Sequence, residues 1–302
     1  MYYYSGGMKV MPVTKNDAQP YGTGRLNWVS TGWLSEQLKD VKIIDTQPDF
    51  HDYMIEHIAG AVYMNENVMK AWLDNLPQQY LSPEYFCAIM GRSGIANFDP
   101  TVVYTGKGAK GSGDGIEQAV IAYTLLRFGH EQVYILDGGL SKWKSEHKTV
   151  TRALPQVIAT RCASYVDGST LINLDELMRV RDDRDTVLLD ARKPAFYSGE
   201  DGMWVRNGHI PGAVNLHWST LMNPDNGAEL KPIDEIRTLV EKSGVTRDKL
   251  IVCYCGSGRA AALEYEIMKH LLGYERVQLY EKSFVEWSAN PKCPVTKGPK
   301  PR

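Results

Sequence analysis

The chain has 302 residues, 43% of them hydrophobic and 23% charged, with a net charge of −2. That length is long for one compact α/β domain and comfortable for two. The near-neutral charge argues against nucleic acid or an anionic membrane as partner, and no apolar run is long enough to span a bilayer.

Met1 to Met8 carry neither a basic n-region nor an apolar h-region, so a cytoplasmic protein is expected. Residues 1–30 read as a loosely held N-terminal arm. Regular pattern begins at Trp33. A short helix is expected around Leu34–Leu38, and a buried strand, Val41–Asp45, ends in a carboxylate. His57-Ile58-Ala59-Gly60-Ala61-Val62 follows. A helix is expected around Pro83–Met90, then a strand at Thr101–Thr105 and a Gly/Lys-rich loop from Gly106 to Gly115. A helix through Ala119–Phe128 ends at Gly129, a fitting C-cap. Val133–Leu136 is a strand, and Asp137–Trp143 closes the unit with a turn and a short helix.

The second half repeats this order. Leu174–Leu177 answers the first helix, and Thr186–Asp190 the strand ending at Asp45. Gly208-His209-Ile210-Pro211-Gly212-Ala213-Val214-Asn215 answers the His57 segment, and Leu250–Cys255 answers Thr101–Thr105. Ser283-Phe284-Val285-Glu286-Trp287 answers Gly139–Trp143. The offset of about 145 residues is far longer than a solenoid period and means two tandem homologous domains. Strand–helix alternation in each predicts an α/β fold, a parallel sheet with helices on both faces.

The most chemically loaded stretch is Ile251–Ala262. A β-prone run ends at Cys255, a Gly256-Ser257-Gly258 turn follows, and an Ala-rich helix begins. Glycines let the loop curl so that successive N–H groups face the sulfur, and the helix presents its positive end to the same point. A thiol held there is expected to react as a thiolate, and the cradle would stabilise an anion formed on it. In the first half Thr105 stands where Cys255 stands, so that half is expected to be silent. Its Lys107 and Lys110 read as solvated surface. His57 and His209 occupy equivalent positions in a silent and a live half, which favours a turn-holding role over a general base.

Five cysteines, Cys87, Cys162, Cys253, Cys255 and Cys293, are odd in number and scattered, which does not suggest a disulfide framework. No second pair completes a zinc site, so no metal and no cofactor are expected.

These landmarks resemble the rhodanese (sulfurtransferase) family in its two-domain form. The resemblance rests on Asp190-Ala191-Arg192, Gly208–Asn215, the loop Cys255–Ala260 and the closing Ser283–Trp287, in order, with half of them repeated in the first domain. It implies a rhodanese-like domain without catalytic cysteine at 31–150, a linker at 151–165 and a catalytic rhodanese-like domain at 166–302. The catalytic cysteine maps onto Cys255. The substrate site maps onto Gly256, Ser257, Gly258, Arg259 and Ala260, with Arg192 and Trp287 beside them. The implied reaction is ping-pong. A small-molecule donor such as thiosulfate leaves one sulfur on Cys255 as a persulfide, and cyanide, a thiol or a protein acceptor removes it.

Family members with the loop Cys-Gly-Ser-Gly-Val-Thr tend to use 3-mercaptopyruvate; those with Cys-Arg-Lys-Gly-Val-Thr tend to use thiosulfate. The present loop begins like the first group but has Arg259-Ala260 where both show Val-Thr. Phe196 stands where mercaptopyruvate enzymes carry an arginine for the substrate carboxylate. Thiosulfate is therefore the expected donor, with Arg259 holding its sulfonate end, and 3-mercaptopyruvate is the alternative. A cysteine phosphatase would need an arginine where Ala261 stands. A sulfur carrier that does not turn over would carry the same loop.

Overall fold

The computed structural model describes residues 13–73 and 75–301. Each half builds its own sheet. The first has the order Tyr21–Gly22, Leu26–Val29, Val133–Leu136, Thr101–Tyr104, Lys42–Asp45, Ala61–Tyr63, with every pairing parallel except the outermost Tyr21–Gly22. The second runs Val214–Asn215, Thr186–Asp190, Leu250–Tyr254, Val277–Leu279, all parallel. Thr101–Tyr104 and Ile251–Tyr254 are buried along their whole length, as strands covered on both faces must be. The helices that follow them, Glu117–Arg127 and Arg259–Glu266, pack against each other and form the centre of the domain interface. Tyr123 meets Tyr265 there edge to face, 5.6 Å between ring centroids.

Two expectations need correction, and a third feature was not foreseen. The N-terminal segment is not a loose arm where it is described. Leu26 and Trp28 are buried, their strand joins the first sheet, and Lys15 donates to Asp137 Oδ2 at 2.7 Å and to the Leu230 carbonyl at 2.6 Å. A Gly-rich composition hid a single strand whose apolar residues have a ready partner in Val133–Leu136. Residues 1–12 lie outside the described residues. Second, Cys87 and Cys162 form a disulfide between the helix Pro83–Arg92 and the linker. The linker folds back along that helix, with Thr160 N–H donating to the Gly91 carbonyl and Ser164 Oγ to that of Pro83. Scattered spacing concealed a contact made only by the return of the linker. Third, each domain carries a β-hairpin that its sequence did not announce, Lys70–Leu73 with Leu76–Tyr80 and Met222–Asn223 with Asn226–Leu230. Their strands lack clean alternation, so period 2 is not visible.

The two hairpins are exchanged across the interface. The second-domain hairpin sits on the silent loop of the first domain. Gly138 N–H donates to the Ala228 carbonyl at 3.0 Å, Leu230 N–H to Asp137 Oδ1 at 2.7 Å, and Lys107 Nζ to the Asp225 carbonyl at 2.8 Å. Gly115, at φ +94°, lies so close to Gly227 that a Cβ would meet backbone at 2.2 Å. Reciprocally, the first-domain hairpin packs against the helix Ser283–Ala289 beside the Cys255 loop.

The repeated motifs do repeated structural work. His57 sets its ring nitrogens against the carbonyls of Tyr53 and Ala153; His209 does the same with Tyr197 and Pro301. Each ring stacks on its tyrosine and pins the segment that leaves its domain. Tyr104 and Tyr254 accept the N–H of Ile58 and Ile210. The halves differ at the strand-end carboxylate. Asp190 is bound by Arg192 through Nε at 2.9 Å and Nη2 at 2.5 Å, whereas Gln47 stands at the equivalent place beside Asp45.

Without a cation, burial pushes the Asp45 carboxyl up to about 6, against the lowering effect of hydrogen bonds from Tyr104 and Gln47. A carboxyl raised in the folded state makes stability fall as pH rises from its ordinary value near 3.8 through about 6. Asp45→Asn removes that slope. In urea unfolding, the stability difference between variant and wild type should shift in the variant's favour by about 2–3 kcal/mol between pH 4 and pH 7.5. A pH-independent difference would show that Asp45 does not titrate there.

Candidate active site

Leu250–Tyr254 is one of the two inner strands of the second sheet, and Cys255 is the first residue past it. The Cys255 side chain is buried, 3% exposed. Strand and loop are fixed by the turn that follows the neighbouring strand. Tyr280 N–H donates to the Cys253 carbonyl, Phe284 N–H to that of Cys255 and Val285 N–H to that of Gly256, at 2.9–3.0 Å. The Cys255 N–H donates to Ser283 Oγ at 3.1 Å, and that hydroxyl donates onward to the Tyr280 carbonyl.

The loop Gly256–Ala260 turns immediately into the helix Arg259–Glu266. Gly258 is its N-cap, at φ +84°, and offers no side chain to the first-turn amides. Those N–H groups are therefore available to an anion on the sulfur. Both flanking glycines are needed for space. A Cβ on Gly256 would meet the Trp204 ring at 2.7 Å, and one on Gly258 the Glu281 carbonyl at 2.6 Å. Ser257 stays half-buried between them.

Arg192 and Trp204 form the wall on the second-domain side. The Arg192 guanidinium, paired to Asp190 and donating to the Gly208 carbonyl, lies 4.0 Å from the Phe284 ring and 4.8 Å from that of Trp204. Its Nη1 is buried without a hydrogen-bond partner. Phe196 packs edge to face on Trp204 at 5.1 Å. Behind the loop, Glu264 is wholly buried with neither carboxyl oxygen hydrogen-bonded. Burial, then Asp190 and Cys255, hold its carboxyl well above the usual range.

The first domain fills the same cradle with a carboxylate. Glu117, at the start of its helix, accepts from the N–H groups of Asp114 and Gly115 and from Thr105 Oγ1. Burial and the neighbouring Asp114 push that carboxyl up to about 7. Thr105 supplies no thiol, and the amides that would face a reacting anion are already engaged. Among the described residues, no group of three or more His, Cys, Asp or Glu could hold a metal, and no helix is long and apolar enough to cross a membrane.

The chain matches the rhodanese-like domain twice, over residues 30–146 and 173–290. The chain belongs to the rhodanese family. It is a two-domain sulfurtransferase, and a small-molecule sulfur donor and an acceptor go with that activity. Its relatives include a "Putative thiosulfate sulfurtransferase" of Synechococcus elongatus, 33% identical over 91% of this chain and 86% of the relative. The "Sulfur carrier protein TtuD" of Thermus thermophilus is 31% identical over 89% and 96%. The "Thiosulfate/3-mercaptopyruvate sulfurtransferase 1, mitochondrial" of Arabidopsis thaliana is 28% identical over 88% and 77%. Crystallised YnjE has the same fold, with a TM-score of 0.79 at 22% identity over 90% of this chain and 68% of that one.

Within this rhodanese two expected substrate contacts lie elsewhere. Trp287 is core. It is fully buried with Phe284 and Tyr280, and its indole N–H donates to the Pro294 carbonyl at 2.8 Å. The aromatic over the loop is Trp204, from the segment between Gly199 and Asn207. Arg206 of that segment is likewise committed, donating to the carbonyls of Trp287, Ser288, Asn290 and Cys293. Arg259 faces the first domain. Its Nε donates to Glu66 at 2.7 Å and its Nη1 and Nη2 to Asp114 at 2.6 and 3.0 Å, with Glu117 at 3.5 Å from Nη2. Three carboxylates from the other domain drew it across, and no single-domain pattern could display them.

Ser283, which the sequence marks only as part of the closing motif, holds the Cys255 amide. It sits at φ +51°, where the first domain has Gly139 at φ +54°. A non-glycine residue held there stores about 1–2 kcal/mol of strain, and the bond it makes is to Cys255 itself. Ser283→Gly should keep stability within about 1 kcal/mol while lowering sulfur transfer several-fold, because strain relief offsets the lost hydrogen bond. Unchanged transfer would show that the anchor is not used. Arg259→Met leaves three clustered carboxylates without their cation. It should cost about 1–3 kcal/mol in urea unfolding at pH 7.5 and less at pH 4, where Glu117, raised to about 7, is neutral. An equal cost at both pH values would mean lost packing and not lost charge.

Proposed function

We propose that the protein transfers sulfane sulfur from thiosulfate to a thiophilic acceptor through a persulfide on Cys255. The observation that carries this reading is the cradle around Cys255, formed by a buried strand end, an uncapped helix start and glycines that admit no side chain. Its first-domain counterpart holds a threonine and an internal carboxylate instead.

In the first half-reaction the Cys255 thiolate attacks the outer sulfur of thiosulfate. The new S–S bond forms as the old one breaks, and sulfite leaves with the bonding pair. The terminal persulfide sulfur is then the anion that faces the N–H groups of Gly256 to Ala260. In the second half-reaction cyanide or a thiol takes that sulfur, and Cys255 regains its electron pair as thiolate. Arg192, paired to Asp190, adds positive potential to the pocket from within the second domain.

The relatives named for thiosulfate, from Synechococcus elongatus and from Corynebacterium glutamicum at 29% identity, favour this donor. So does Phe196, an aromatic engaged with Trp204 at the place where mercaptopyruvate enzymes carry a carboxylate-binding arginine. The Arabidopsis relative, named for both donors, keeps 3-mercaptopyruvate as the second reading. The Thermus relative is named a sulfur carrier, which makes a protein acceptor, or carriage without turnover, the reading from another class.

Incubation with thiosulfate should add one sulfur to the intact mass, mapped to Cys255, and cyanide should then give repeated thiocyanate turnover. Cys255→Ser should abolish both signals, and Cys253→Ala, a fully buried strand residue, should retain most of the turnover. A single burst without turnover would make the protein a carrier. Faster loading from 3-mercaptopyruvate in the parallel assay would replace thiosulfate as donor.

A further inference from the structure

We propose that Lys70, from the first domain, is the cation that meets the anionic end of the sulfur donor at Cys255, so that the donor site is shared between the domains. This deepens the reading given above and rests on it.

The argument begins with the exchanged hairpins. In each, a main-chain bond closes the base, from Leu81 N–H to the Met69 carbonyl and from Lys231 N–H to that of Leu221. One position inward, Lys70 pairs with Tyr80 and Met222 pairs with Leu230. The hairpin on the silent loop therefore presents a methionine and a leucine, each 2% exposed. The hairpin on the live loop presents a lysine and a tyrosine at the same register. A charge has been placed where its counterpart is apolar, and only on the side that holds the thiol.

The other interface cations are occupied. Arg259 is bound by Glu66, Asp114 and Glu117. Arg127 is bound by Glu281 at 2.6 Å, which also accepts from Tyr123. Among the described residues no carboxylate lies within 4.0 Å of Lys70 Nζ, which rests 4.9 Å from the Tyr80 ring centroid. The charged groups acting on it are Glu66, Glu281, Cys255 and Arg259, and burial draws the ammonium below the ordinary lysine range. Lys70 is half-buried and not sealed in the core, and its hairpin packs against the helix Ser283–Ala289 beside the Cys255 loop.

The chemistry asks for such a charge. A thiolate attacking thiosulfate brings three negative charges together, and sulfite departs carrying two of them. An ammonium beside the sulfonate end offsets that repulsion, and in a shielded pocket its effect is large. The acceptor dithiothreitol, which reacts as a thiolate and has no sulfonate end for the ammonium to hold, gains far less from it.

The test is a comparison of half-reactions in the full chain. Wild type, Lys70→Met, Lys70→Gln and Lys70→Arg are mixed with thiosulfate, and persulfide formation on Cys255 is followed by quenched intact-mass measurement. The preformed persulfides are then reacted with dithiothreitol. Lys70→Met and Lys70→Gln should slow the thiosulfate step by about ten- to a hundredfold and leave the dithiothreitol step within about twofold, and Lys70→Arg should recover most of the loss. Added salt should slow the thiosulfate step more steeply in the wild type than in Lys70→Met. Thiosulfate steps equal to wild type in both neutral variants would overturn the inference, as would equal losses in both half-reactions. If thiosulfate fails to load even the wild type, the donor reading falls. The same variants are then read with 3-mercaptopyruvate, whose carboxylate needs the same cation: a loss there upholds Lys70, and none overturns it.

Discussion

The structure depends on how the backbone after Cys255 is held. A six-residue loop has too few internal contacts to keep its amides turned toward one sulfur, so the restraint comes from the next strand's turn. Phe284 and Val285 donate to the loop carbonyls, and Ser283 anchors the Cys255 amide from a left-handed backbone conformation. Sheet order makes this possible. Leu250–Tyr254 lies beside Val277–Leu279, so the turn after one strand falls against the loop after the other. A parallel sheet gathers the carboxyl ends of its strands at one edge, and Cys255 sits at that edge.

The duplicated half shows which parts of this machinery are structural. Both domains keep the histidine that pins the outgoing chain, the tyrosine that receives the next N–H, and the turn that closes over the loop. These features are folding hardware. What differs is the chemistry. The second half has a thiol, an ion-paired Asp190 and a helix start with no side-chain cap; the first half has a hydroxyl, a carboxyl raised by burial at Asp45 and a glutamate lodged in its own cradle. Glu117 and Arg259 begin corresponding helices, and across the interface they face each other. One occupies the cradle of its domain, and the other leaves the cradle of its own domain open by turning outward.

The domain interface is thus part of the site. Each domain lends its hairpin to the loop of the other, and the helices that begin at the two loops pack together. A face of this kind carries Tyr123, Tyr265, the Arg127–Glu281 pair and the Arg259 cluster, and these contacts all need both halves. The first half is then not redundant, because its hairpin packs against the helix beside the Cys255 loop.

Sequence alone determined the α/β class and the duplication, and it placed Thr105 and Cys255 at equivalent strand ends. Each of these is local or periodic: a strand ending in cysteine, glycines where the chain must curl, and a repeat in register. The third dimension decided which charges belong to the site. Arg259 lies inside the loop in sequence yet is drawn to Glu66, Asp114 and Glu117, far away along the chain. Trp287 closes a motif yet packs as core, and of the tryptophans that could wall the pocket it is Trp204, from the insertion, that covers Gly256. The hairpins, the Cys87–Cys162 bond and the strand hidden in the N-terminal segment were invisible for one reason. Their partners are chosen by long-range packing, and neither composition nor period records a contact that exists only when two domains close on each other.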